Sequence, residues 1–133
     1  MLVAGRKFGC RSSREHAAWA LDDYGFRVVI APSFGDIFRT NAIKTGLAPI
    51  VLGEAELDAM KRAVAERNEL AVDLEAQQVA HPNGLRVRFD FDAYERQTLL
   101  EGLDDVARTL QRAEEIAAFE ATHPARFNLA AIR

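Results

Sequence analysis

Cysteine is nearly absent: Cys10 is the single one in 133 residues. One thiol excludes an intramolecular disulfide framework and suits a reducing compartment. Long apolar runs are missing too. No stretch of about eighteen apolar residues occurs and the N-terminus lacks a secretory pattern, so a cytoplasmic protein without a membrane segment is expected. Neither sign of charge dominates, with 17 lysines and arginines against 20 acids and a net charge of −3. That balance argues against a nucleic-acid surface and against an acidic tail. Histidine is scarce, and His81 and His123 stand too far apart to form a ligand spacing. No metal site is expected on this chain.

What is present is a core. At 49% hydrophobic and 28% charged residues, the chain has the make-up of one globular domain and not of a disordered segment. Met1 to Ala4 is a short strand, and Gly5 to Gly9 a loop. A helix capped by Ser12 or Ser13 then runs to about Tyr24, with Ala17, Ala20, Leu21 and Tyr24 as its apolar face. Arg27 to Ala31, a β-branched run between Gly25 and Pro32, reads as the clearest buried strand. A second helix from about Phe34 to Thr45 follows, with Ser33 as cap, Gly46 as stop, and Phe34, Ile37, Phe38 and Ala42 inward. Ala48 to Leu52 is another strand. Alternating strands and helices argue for crossovers and a largely parallel sheet.

Past Gly53 the pattern changes. Glu54 to Arg67 is an amphipathic helix. Leu70 to Leu74 and Gln77 to Ala80 are short strands, and His81-Pro82-Asn83-Gly84 is a hairpin turn. Leu85 to Phe91 alternates apolar and charged residues, as a half-exposed antiparallel strand does. From Ala93 to about Glu120 the chain is helical with a break at Gly102, Asp104 and Asp105 cap the helix that follows, and residues beyond Pro124 are loose. No internal repeat, linker or low-complexity segment occurs, so residues 1–133 form one domain.

The segment Phe8-Gly9-Cys10-Arg11-Ser12-Ser13-Arg14-Glu15-His16 lies between the first strand and the first helix. A helix start offers unpaired N–H groups and the positive end of the macrodipole, and here two hydroxyls and a guanidinium sit beside it. A carboxylate or phosphate is the expected guest. Taken alone, Ser12, Ser13 and Arg14 read as an ordinary helix cap with a surface arginine, and His16 as a satisfied, half-buried histidine.

The flanking blocks change that reading. Phe8 to Ala17 resembles the Gly-Ser-Ser-Arg-Glu-His signature of the aconitase superfamily's swivelling domain. Tyr24 to Ile30, Ser33 to Phe38, Asn41 and Lys44 to Pro49 are similar to the same family. Leu99 to Asp105 and Thr109-Leu110 resemble, within it, the small subunit of 3-isopropylmalate dehydratase. The resemblance implies a three-layer β/β/α swivelling domain of the α/β class: a mixed sheet with parallel crossovers, then an antiparallel hairpin and C-terminal helices. It implies a dehydration and rehydration that isomerise 2- and 3-isopropylmalate in leucine biosynthesis. The partner is a large subunit bearing a [4Fe-4S] cluster, and this chain binds no cofactor itself and is inactive alone.

By match to the motif, Ser12 is implied as the catalytic base, with Ser13 and Arg14 binding the carboxylates of a small dicarboxylic hydroxy acid. Gly9, Cys10, Arg11, Glu15 and His16 support the loop, with Glu15 placed to close a capping box or pair with a nearby base. Cys10 reads as a structural loop residue, since a lone cysteine cannot hold a cluster. Two departures are visible. Arg11 stands where the family has glycine; at positive φ it would cost roughly 1 kcal/mol or more, and it would either block the site or add a second cation. The family's N-terminal segment, with its substrate-selecting loop, has no counterpart here, so a fragment, a truncated form or a degenerate relative is expected, with self-association through exposed edges. The alternatives are a non-catalytic anion- or partner-binding module, or the small subunit of a related hydro-lyase acting on citraconate, dimethylmalate or homoaconitate.

Overall fold

The computed structural model describes residues 1–11, 14–102 and 104–123. It divides into two compact units, Met1–Gly102 and Leu103–Arg133. In the first unit, β1 (Leu2–Val3), β2 (Val28–Ala31) and β3 (Ala48–Val51) form a parallel sheet in that order. Leu2 lies beside Val29, and Val29 beside Pro49. The connections are α1 (His16–Asp23) and α2 (Asp36–Lys44). A parallel pair needs such crossovers, because a tight turn cannot return the chain to the same end of a neighbouring strand.

Strand alternation divides the core between the two faces of this sheet. Val29 packs with Ala18 of α1, with Phe38 and Ala42 of α2, and with Leu47. Its neighbour Ile30 points the other way, into a cluster with Ile50, Leu57, Met60, Val79, Val87 and Phe89. That second cluster is roofed by α3 (Glu54–Glu66) and by an antiparallel sheet of β4 (Ala71–Asp73), β5 (Gln78–Ala80) and β6 (Arg86–Arg88). Parallel and antiparallel strands thus occupy two separate sheets in the expected β/β/α arrangement. At the turn between β5 and β6, Gly84 has φ of 98°. His81 is buried there, its Nε2 2.9 Å from the Arg67 carbonyl and its Nδ1 accepting from Asn83 N–H at 3.1 Å.

Helix α4 (Ala93–Glu101) is capped by Asp92, whose carboxylate accepts from the N–H groups of Tyr94 and Glu95, and it ends at Gly102 with φ of 62°. Arg39 of α2 grips Glu95 in a two-point ion pair, both N–O distances 2.5 Å, while its guanidinium lies 5.8 Å from the Phe91 ring centre. The second unit holds α5 (Asp105–Leu110) and α6 (Ala113–Thr122). Asp104 caps α5 through Ala107 N–H at 2.6 Å, as expected. The tail beyond Pro124 lies outside the described residues. No helix among the described residues is long and apolar enough to cross a membrane.

Several expectations need correction. Helix α1 starts at His16, not at a serine cap, and Glu15 occupies the N-cap position in helical conformation without a side-chain cap. Its register therefore buries Ala18, while Ala20 and Tyr24 are exposed. Helix α2 starts two residues late, at Asp36, because Phe34 is drawn into a parallel bridge with Phe8. Its cap position is Gly35, not Ser33. Ile37 is exposed, not inward as expected, and Ile43 lies in the core.

Candidate functional site

All three parallel strands end on the same side of their sheet, where open α/β sheets bind ligands. There the loop after β1 carries the signature, Pro32 to Gly35 follows β2, and the start of α3 follows β3. Arg6 in the first of these loops pairs with Glu54 at the start of α3, Nη2 to Oε1 at 2.6 Å.

The signature loop is moulded on the segment after β2. Phe8 N–H donates to the Ser33 carbonyl at 3.0 Å, and Gly35 N–H to the Phe8 carbonyl at 2.8 Å. The Ser33 hydroxyl accepts from Lys7 N–H at 2.9 Å, which explains why it caps no helix. Cys10 N–H returns to the Lys7 carbonyl at 3.2 Å, closing a tight turn. Gly9, the third residue of that turn, takes left-handed backbone at φ 72°, and Lys7, at its first position, also lies there at φ 56°.

Both glycines at this junction are required by space as well. A Cβ on Gly9 would lie 2.6 Å from Phe38 Cβ and overlap the Phe38 ring. One on Gly35 would lie 2.7 Å from Cys10 Cα. Phe8, Phe34 and Phe38 complete the seat, with Phe8 edge-on to both partners at 6.3 and 5.2 Å. None of this is visible in the signature itself, because the contacting residues are more than twenty positions away.

Of the residues singled out from the motif, Ser12 and Ser13 lie outside the described residues. Cys10, Arg11, Arg14, Glu15 and His16 are exposed, and Gly9 is half-buried. His16 is therefore not the half-buried histidine expected; its ring stacks obliquely on Trp19 at 4.9 Å. Glu15 makes no capping hydrogen bond. Among the described residues the non-glycine positions with positive φ are Lys7 and Gln77, so the condition under which Arg11 would be strained is not met. Beside the loop lies an open apolar groove of about 490 Å³, formed by Phe8, Gly9 and Phe38 with Ala17, Leu21 and Tyr24.

An iron–sulfur cluster takes cysteine thiolates as its main ligands, and this sequence has one cysteine. Among the described residues no three His, Cys, Asp or Glu side chains are grouped to hold a metal. The residues present do not fit such a group.

A parallel sheet backed by two crossover helices, a signature loop at the carboxyl end of its first strand and an antiparallel sheet behind it define the swivelling class of α/β domains. Residues 1–55 match the family model for the aconitase C-terminal domain. Residues 60–93 match the LeuD_N model, and residues 105–127 the model for the C-terminal domain of the 3-isopropylmalate dehydratase small subunit. A solved structure of 3-isopropylmalate dehydratase from Methanocaldococcus jannaschii is similar, with 30% identity and a TM-score of 0.63, over 90% of this chain and 68% of that one. The chain belongs to the 3-isopropylmalate dehydratase small-subunit family of the aconitase superfamily, a family of hydro-lyase subunits.

Proposed function

We propose that this chain is the small subunit of an isopropylmalate isomerase, completing a site whose cluster is carried by a large subunit. The observation that carries this reading is the ordered series of family matches along residues 1–55, 60–93 and 105–127, with the signature on a loop seated at the carboxyl end of the sheet. Ser12 is the base, taking the proton from the carbon next to a substrate carboxylate. A serine hydroxyl is a poor base in water. It becomes useful only where donors and positive charge stabilise the alkoxide, and Arg14 and the backbone N–H groups leading into α1 are the groups at hand. Ser13 and Arg14 hold the carboxylates, the planar guanidinium matching a carboxylate in two-point contact as a lysine cannot.

The free chain is inactive in this reading. Mixed with its large subunit, it interconverts 2- and 3-isopropylmalate, and Ser12→Ala lowers kcat by about 10² to 10⁴-fold, the usual share of a general base. Turnover by the isolated chain, or turnover by the complex that ignores Ser12, contradicts the proposal.

Arg11 favours a second reading, a domain that binds a partner or an anion without turnover. Arg11 is exposed and directly precedes Ser12 in the sequence. Arg11→Gly separates the two: a many-fold rise in kcat of the complex marks an impaired enzyme, whereas tight binding to the large subunit without turnover in either form marks a binding module.

A further inference from the structure

Lys7 stands at φ 56° five residues before Ser12. A side chain in the left-handed region costs roughly 1 kcal/mol or more, so something must hold Lys7 there. Three hydrogen bonds do so: Lys7 N–H to the Ser33 hydroxyl, Phe8 N–H to the Ser33 carbonyl, and Gly35 N–H to the Phe8 carbonyl. The last two are backbone to backbone and survive any side-chain change. The first depends on one hydroxyl. It acts on the strained residue itself, whose carbonyl accepts from Cys10 N–H and so anchors the first position of the turn that leads to Arg11.

We infer that Ser33 is a positioning residue for turnover: its hydroxyl pins Lys7 in the left-handed conformation and so aims the signature loop. This rests on the catalytic reading of that loop given above. Without the hydroxyl, Lys7 relaxes toward negative φ, and the loop rotates at its base while the bridge between Phe8 and Phe34 persists. The seat remains and the aim is lost.

The test is steady-state kinetics of the complex with the large subunit. Ser33→Ala is expected to lower kcat by about ten-fold, with KM changed by less than about two-fold, in keeping with the steep dependence of rate on sub-ångström placement. Ser33→Thr restores the rate by keeping the hydroxyl. Lys7→Asn restores it in the Ser33→Ala background by another route, because asparagine tolerates the left-handed region without help. Amide exchange at Lys7 quickens in Ser33→Ala and not in Ser33→Thr. An unchanged kcat in Ser33→Ala overturns the inference, as does a loss that neither Ser33→Thr nor Lys7→Asn recovers. A Tm drop beyond about 5 °C in Ser33→Ala, the size of a loss of fold stability, overturns it too. If the wild-type complex shows no turnover, the proposed function falls and takes this role with it; an active wild type with an indifferent Ser33→Ala removes this role alone.

Discussion

Gly9 admits no side chain on two counts. Its φ of 72° disfavours any Cβ, and the space a Cβ needs is held by Phe38. Gly9→Ala is expected to destabilise the chain by about 2 to 4 kcal/mol, summing left-handed strain and overpacking. A urea unfolding midpoint measures it, and a midpoint unchanged from wild type contradicts it. The sequence announces a glycine in a loop, but not its reason. That reason is a phenylalanine 29 positions on, and no local pattern encodes such a distance. Arg11 makes the converse point. At positive φ it would be strained, yet the strained residue of the loop is Lys7, while Gly9 takes the left-handed region without cost, and hydrogen bonds to Ser33 and Gly35 fix the backbone upstream of Arg11.

Among the elements, β2 and β3 were legible to within a residue, since buried β-branched runs bounded by glycine and proline leave little choice. The starts of α1 and α2 were not legible. In α2 the first expected turn is claimed by tertiary hydrogen bonds of Ser33 and Gly35 to the loop after β1, which outcompete local capping; the serines expected to cap α1 lie outside the described residues. Nor was the inner face of α2 fully legible, since Ile37 lies at the surface and Ile43 in the core. The clamp between α2 and α4 was equally invisible, because Arg39 and Glu95 are 56 positions apart. Both partners are partly buried, with side chains 33% and 23% exposed, and the pair is bidentate, so it exceeds an ordinary surface ion pair. A double-mutant cycle with Arg39→Met and Glu95→Gln is expected to return a coupling of about 1 kcal/mol. A coupling indistinguishable from zero removes the clamp from the account of how α4 is held.

At the scale of the whole molecule, the family was legible because several blocks agree in order, from the signature near the N-terminus to Leu99 through Leu110. The fold that carries them brings the loop after β1, the segment after β2 and the start of α3 to one end of a parallel sheet. The chain's single cysteine cannot hold an iron–sulfur cluster. In the function proposed above, a second protein supplies that cluster. The most direct measurement is the interconversion of 2- and 3-isopropylmalate by this chain mixed with the proposed cluster-bearing large subunit, wild type beside Ser12→Ala. Turnover that needs both proteins and collapses with the Ser12 hydroxyl is the predicted result. Turnover by either protein alone, or equal turnover by wild type and Ser12→Ala, would contradict it.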